Sequence, residues 1–251
     1  IVRQVLLLAG GSIASKVLLF AASPIFSRIY DPQDFGVFSV FQAYSTALLL
    51  VCCLNYEAAI PLPDSEEQAY NLLAACFGLL TAACLTLTIV LLAFGDSSAL
   101  ESLKSLREFY WLVPLALFTA GTFQILTWWG VRTQSFKAIA GRYLIQSLAL
   151  IATQILVPLW KTGPLGLLLG DTIGRSCGTV SLAIQSVRTA RLQGLRLSWT
   201  GMTRVLWRFR RFATLGVASA LINRGSIILG PLMFAHYYPM ADVGAFSLVN
   251  N

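Results

Sequence analysis

The chain has 251 residues, of which 57% are hydrophobic and 12% charged, with a mean hydropathy of +0.72 and a formal net charge of +7. No soluble core needs this much apolar sequence, and ordinary soluble chains carry about twice the charge, so a soluble enzyme or binding domain is excluded. The composition predicts an all-α, polytopic integral membrane protein.

Runs with little or no charge locate the spans, since crossing a hydrocarbon core of about 30 Å takes roughly 20 helical residues. The first run, 5–27, contains Lys16. Runs 37–56, 71–95, 109–131 and 143–160 follow, without the strand-like alternation of a barrel. Span 162–187 contains Asp171 and Arg175, span 212–235 contains Arg224, and a further span begins at about 243. The expectation is therefore seven transmembrane helices plus the start of an eighth. With no initiator Met and a stop inside a span at Asn251, the sequence is expected to be a fragment. Lys16 interrupts the first apolar run, and Ala21-Ala22-Ser23 leads into Pro24 and more apolar chain, so this span is expected to remain as a helix rather than be cleaved as a signal.

Orientation follows from where Lys and Arg fall in the connections. An N-terminus inside puts eleven cations in the cytoplasm: Arg3, Arg132, Lys137, Arg142, Arg188, Arg191, Arg196, Arg204, Arg208, Arg210 and Arg211. Only Arg28, Lys104, Arg107 and Lys161 then lie outside. The inner loop 57–70 runs against the pattern with Glu57, Asp64, Glu66 and Glu67, but acids contribute little to the rule. Residues 1–187 form an expected six-helix lobe, 188–211 a basic cytoplasmic linker, and 212–251 the start of a second, truncated lobe. The linker holds seven arginines and no acid. In a membrane context this favours lipid over nucleic acid. Trp199, Val205, Leu206, Trp207 and Phe209 allow part of it to lie along the headgroups as an interfacial helix, while a solvated positive-inside loop stays open as the plainer reading.

No catalytic constellation stands out. His236 lies beside Tyr237 and Tyr238 with no nucleophile or metal-ligand partner, and the glycines of 163–178 fit helix packing better than a nucleotide loop. Cys52, Cys53, Cys76, Cys84 and Cys177 fall in apolar runs without metal-ligand spacing. The expectation is a non-enzyme without metal or cofactor.

Ionisable groups inside spans carry more information, because each costs about 2.5–3.5 kcal/mol at a helix centre and so faces a cavity or a partner. Asp171 and Arg175 are spaced to pair on one helix, the alternative being a titrating acid that couples transport to a gradient. Lys16, with Ser12 at i−4, and Arg224, with Ser219, Asn223 and Ser226, have no local acid. These two cations are also related by an internal repeat. Tyr30, Asp34, Gly36, Phe38 and Ser39 recur as Tyr238, Asp242, Gly244, Phe246 and Ser247 at a constant offset of 208, and the same offset carries Lys16 onto Arg224 and Phe26 onto Phe234. Repeats of this kind are common in transporters. Two cations brought together by pseudo-symmetry would make a positive cavity for a phosphate or pyrophosphate, with Lys16, Arg224, Asn223 and Ser12 as its candidate lining. Either side chain could instead snorkel or meet an acid from another helix.

Three segments carry a family resemblance: Ser27-Arg28-Ile29-Tyr30 leading into Asp34-Phe35-Gly36; Tyr56-Glu57-Ala58-Ala59-Ile60-Pro61-Leu62-Pro63 with the following acids and Asn71-Leu72-Leu73; and Phe212 through Gly244. In these the chain resembles the bacterial polysaccharide, O-antigen type flippases of the multidrug/oligosaccharidyl-lipid/polysaccharide superfamily. The resemblance implies a MATE-like helical bundle of two lobes around a central cavity, in the bacterial inner membrane. It implies movement of undecaprenyl-pyrophosphate-linked oligosaccharides from inner to outer leaflet, alongside other polysaccharide assembly proteins, with Lys16 and Arg224 contacting the pyrophosphate. Asn55 departs from the pattern, since the family often has Arg before the Tyr-Glu pair. Competing readings are a MATE-type multidrug antiporter, which calls for unpaired intramembrane acids, and a membrane glycan polymerase or ligase, which calls for a large outer loop.

Overall fold

The computed structural model describes residues 2–94, 106–192 and 197–250, and among them the chain is all helix without strand. Lys104 and Arg196 lie outside the described residues, as do the side chains of Arg3, Arg188, Arg191, Ser226 and His236. In chain order the α-helices are α1 (Val2–Ile29), α2 (Pro32–Cys52), α3 (Glu66–Phe94), α4 (Leu112–Arg132), α5 (Phe136–Leu156), α6 (Leu165–Leu192), α7 (Trp199–Arg208), α8 (Val217–Tyr237) and α9 (Met240–Asn250). Among the described residues five stretches are long and apolar enough to cross a membrane: Ala9–Ile29, Pro32–Cys52, Glu66–Ala93, Leu112–Arg132 and Phe136–Leu159. A sixth is added if Phe212–Gly225 and Ile228–Ala235, which meet at 57°, count as one span. The bend has a local cause, because Pro231 cannot donate a backbone hydrogen bond to the carbonyl four residues earlier.

Of the seven expected spans, five or six are thus long and apolar enough among the described residues. α6 has the length, at 28 residues, but Asp171, Thr172, Arg175, Ser176 and Thr179 dilute its apolar content. Much of the apolar surface points outward. Phe20, Leu92 and Ile222 are each more than four-fifths exposed, an arrangement that water would penalise and hydrocarbon does not. The chain is read as embedded in a membrane.

Helix boundaries follow from local chemistry. Pro32 stands at the first position of α2, where its missing N–H is no loss, and the Asp31 amide donates to Asp34 Oδ2 at 3.2 Å. After α2 the backbone turns sharply through Leu54 and Asn55, at φ 49° and 56°, into a short 3-10 turn, Tyr56–Ala59. The chain then passes through Pro61 and Pro63 to α3, where the Gln68 amide donates to Ser65 Oγ. A π turn, Phe212–Gly216, precedes α8.

Without a hydrophobic drive between helices in lipid, close packing needs small residues at the contacts. α6 supplies them as Gly166, Gly170, Gly174 and Gly178, one per turn. A Cβ at Gly170 would collide with the Gln154 side chain, one at Gly174 would stand 3.0 Å from the Gln146 carbonyl oxygen, and one at Gly178 would stand 2.7 Å from Arg142 Cγ. This stripe lets α5 lie against α6 along its length. α1 closes on the other side of α5, where Gly11 meets Ala140. The first six helices thus form one packed group, with α4 and α2 also resting on α6. α2 carries the contact with α8 and α9.

Candidate functional site

The repeat in the sequence is a repeat in the backbone. α1 ends at Ile29 and α8 at Tyr237, α2 begins at Pro32 and α9 at Met240, and both pairs are 208 residues apart. The hydrogen bonds between these helices recur as well. The Tyr30 amide donates to the Phe26 carbonyl and the Tyr238 amide to the Phe234 carbonyl, both at 2.9 Å. The Asp34 amide donates to the Asp31 carbonyl at 2.9 Å, and the Asp242 amide to the Pro239 carbonyl at 3.0 Å. Ser39 Oγ turns back onto the Gly36 carbonyl at 2.9 Å, and Ser247 Oγ onto the Gly244 carbonyl at 2.8 Å.

The two copies also meet. A Cβ on Gly36 would collide with the Met240 carbonyl oxygen, and a Cβ on Gly244 with the Pro32 carbonyl oxygen. Those contacts exchange under the same offset, because Pro32 corresponds to Met240 and Gly36 to Gly244. Each hypothetical Cβ would also crowd the other glycine's amide nitrogen, at 3.3 Å and 3.0 Å. The starts of α2 and α9 therefore cross backbone to backbone around a local two-fold relation, at a spot where only glycine fits. The correspondence does not extend to every side chain. Tyr30 is buried, with its hydroxyl donating to the Gln154 carbonyl at 2.6 Å, whereas Tyr238 is 55% exposed and stacks on Phe234.

Lys16 lies on the exposed side of α1, with Ser12 half-buried one turn before it. Arg224 and Asn223 are exposed on α8. No hydrogen bond or ion pair joins Lys16 to another described residue. Arg224 is near enough to Glu57 to stabilise its charge, without a direct ion pair. No distance brings Lys16 and Arg224 into one site.

Glu57 is the functional candidate that sequence reasoning missed by counting it among loop acids. It sits in the 3-10 turn and is 2% exposed. Its Oε1 accepts from Gln124 Nε2 of α4 at 2.7 Å, while Oε2 is buried without a partner. The left-handed Asn55 and Leu54 aim the carboxylate inward, and the Asn55 amide packs against Gly216 at the π turn. Burial pushes the carboxyl above its ordinary range, and Gln124 and Arg224 work against that rise. The signal was present, since Glu57 is the one acid between Asp34 and Asp64.

A raised carboxyl contributes stability that is present below its unfolded value and lost as pH rises through its folded value. Glu57→Gln is therefore expected to be more stable than wild type at neutral pH, by about 1–3 kcal/mol, because a neutral amide is spared the cost of desolvating a carboxylate, with no advantage in acid. Thermal unfolding in detergent from acid to neutral pH checks this; parallel curves for the two proteins would refute it.

Asp171 and Arg175 form an ion pair within α6, Arg175 donating through Nε at 3.1 Å and Nη2 at 2.9 Å to the same carboxylate oxygen. Asp171 is 5% exposed, so its charge is met locally rather than offered to a cavity. Two acids of the 57–70 loop, Asp64 and Glu66, are likewise engaged. Arg132 at the end of α4 pairs with Glu66 at 2.9 Å and donates to the carbonyls of Ile60, Pro61 and Pro63, and Arg208 reaches Asp64 at 3.7 Å. Two of the four acids in this loop are thus met by arginines. Among the described residues no group of His, Cys, Asp and Glu is arranged to hold a metal ion. No protein family, curated protein or solved structure matches the chain.

Proposed function

We propose that the protein flips undecaprenyl-pyrophosphate-linked oligosaccharide units across the bacterial inner membrane by alternating access of two MATE-like helical lobes. The observation that carries this reading is the structural repeat: two helix pairs built alike, crossing at Gly36 and Gly244, the first helix of each bearing an exposed cation without a direct ion pair. In this reading α6 is the sixth span, the bent 212–235 segment the seventh and α9 the start of the eighth. The N-terminus lies in the cytoplasm, so the α2–α9 crossing closes the outer end. The pyrophosphate enters between Lys16 and Arg224, helped by Ser12 and Asn223, while the lipid tail stays in the bilayer. The engagement of Asp171 by Arg175 tells against an acid-driven organic-cation antiporter.

The test is translocation of a pyrophosphate-linked oligosaccharide lipid by the protein in proteoliposomes, against a Lys16→Gln/Arg224→Gln variant. The expected result is flipping by wild type and a loss of at least about tenfold in the folded variant, since charge-assisted hydrogen bonds contribute on the order of 1.5–3 kcal/mol each. Movement of organic cations instead, or unimpaired flipping by the variant, refutes the reading.

A further inference from the structure

The two sides of α7 meet different surroundings. Its inner side, centred on buried Val205, rests on the first turns of α3. Three polar contacts fix it there: Tyr56 Oη donates to the Leu206 carbonyl at 3.1 Å, the Ser198 amide donates to Asn71 Oδ1 at 3.0 Å, and Arg208 donates to Gln68 Oε1 at 3.0 Å. The outer side carries Trp199, 80% exposed, and Trp207, 69% exposed. On a helix of 100° per residue these indoles share one arc with exposed Arg204, and Arg210 and Arg211, also exposed, follow just past the helix end. The Arg210 guanidinium lies 3.9 Å over the Trp207 ring. Of the neighbouring acids, Asp64 is engaged by Arg208 and Glu66 by Arg132.

Two indoles left open on a ten-residue helix are out of place in water, and the helix's position says what covers them. Gln68 and Asn71, which hold α7, stand where α3 enters its apolar run. At the other end the chain passes directly through the π turn into the bent span that starts at Phe212. α7 is pinned between two membrane-entering segments, at the depth of the headgroups. Tryptophan favours that layer, and arginine there gains from anionic phosphates.

We propose that the Trp199–Trp207 face of α7 binds the anionic phospholipid headgroups of the leaflet it lies on, with Arg204, Arg210 and Arg211 meeting the phosphates and the two indoles seated beside the glycerol backbone. The assignment stands independently of what the protein transports. Each basic residue at an anionic surface contributes about fivefold, so three give on the order of a hundredfold preference over zwitterionic lipid.

The experiment places the protein in nanodiscs of phosphatidylcholine with graded phosphatidylglycerol and reads retained lipid by native mass spectrometry. Arg204→Gln/Arg210→Gln/Arg211→Gln is compared with the corresponding triple lysine variant, Arg208 being kept to preserve the dock on α3. Loss of phosphatidylglycerol preference in the glutamine variant and its retention in the lysine variant support the proposal. Equal preference in wild type and the glutamine variant overturns it. Brominated phosphatidylglycerol gives a second readout that needs no charge change. It should quench wild-type tryptophan fluorescence more than that of Trp199→Phe/Trp207→Phe, and equal fractional quenching would mean that these indoles face water or another protein.

Discussion

Gly36→Ala is expected to destabilise the protein by about 1–3 kcal/mol, the range for forcing an extra carbon into a packed contact, and Gly244→Ala added to it should cost little more. The added Cβ at either position meets a backbone carbonyl oxygen, of Met240 or of Pro32, which no rotamer change can move aside. Either substitution must therefore push α2 and α9 apart. Once they are apart the second glycine has lost its close neighbour, so the two penalties describe one contact and cannot add. Gly10, Gly78 and Gly141, where a Cβ would meet nothing, supply controls whose alanine variants should be neutral or slightly stabilising. Thermal unfolding of the two single variants, the double variant and one control in the same detergent measures the cycle. Additive losses at 36 and 244 would show that the two sites are not in contact.

The part of this arrangement that a sequence can carry is the part written as identity. Tyr30, Asp34, Gly36 and Ser39 recur because the turn between two helices and the glycine crossing each demand particular residues, so the offset of 208 is legible in the chain's own letters. That the two copies touch is not legible, since nothing in either segment names the other as its partner. At α6, Asp171, Thr172, Arg175, Ser176 and Thr179 lower the average hydropathy of a helix that packs on α4 and α5 like its neighbours, so composition alone marks it less clearly as a span. Arg142 and Glu57 were misplaced for a related reason. A charge near the end of an apolar run looks like a loop charge, and only the tertiary fold decides whether it points into water or into the bundle. The amphipathic character of 199–208 was readable from its tryptophans and arginines, whereas the dock that fixes its buried side depends on Tyr56 and Asn71, far away in the chain.

Arg142→Ala is expected to be the more damaging of two substitutions at one site, by about 3–5 kcal/mol, while Arg142→Met should cost far less. Arg142 lies in α5 and is 1% exposed, so it is no loop cation. Its guanidinium covers the Phe123 ring at 3.8 Å, donates through Nη1 to the Phe123 carbonyl at 3.2 Å and through Nη2 to Thr127 Oγ1, and leaves Nε without a partner. No carboxylate pairs with it among the described residues, so the side chain holds α5 against α4 chiefly by its bulk and its stacking. Alanine empties that volume, and because Gly178 of α6 packs against the Arg142 stem, the void opens on a third helix as well. Methionine refills most of the space with a flexible apolar chain and removes a charge that the interior meets only with neutral acceptors. Thermal unfolding in detergent separates the two cases. A methionine variant as unstable as the alanine variant would mean that the hydrogen bonds to Phe123 and Thr127, rather than packing, join these helices.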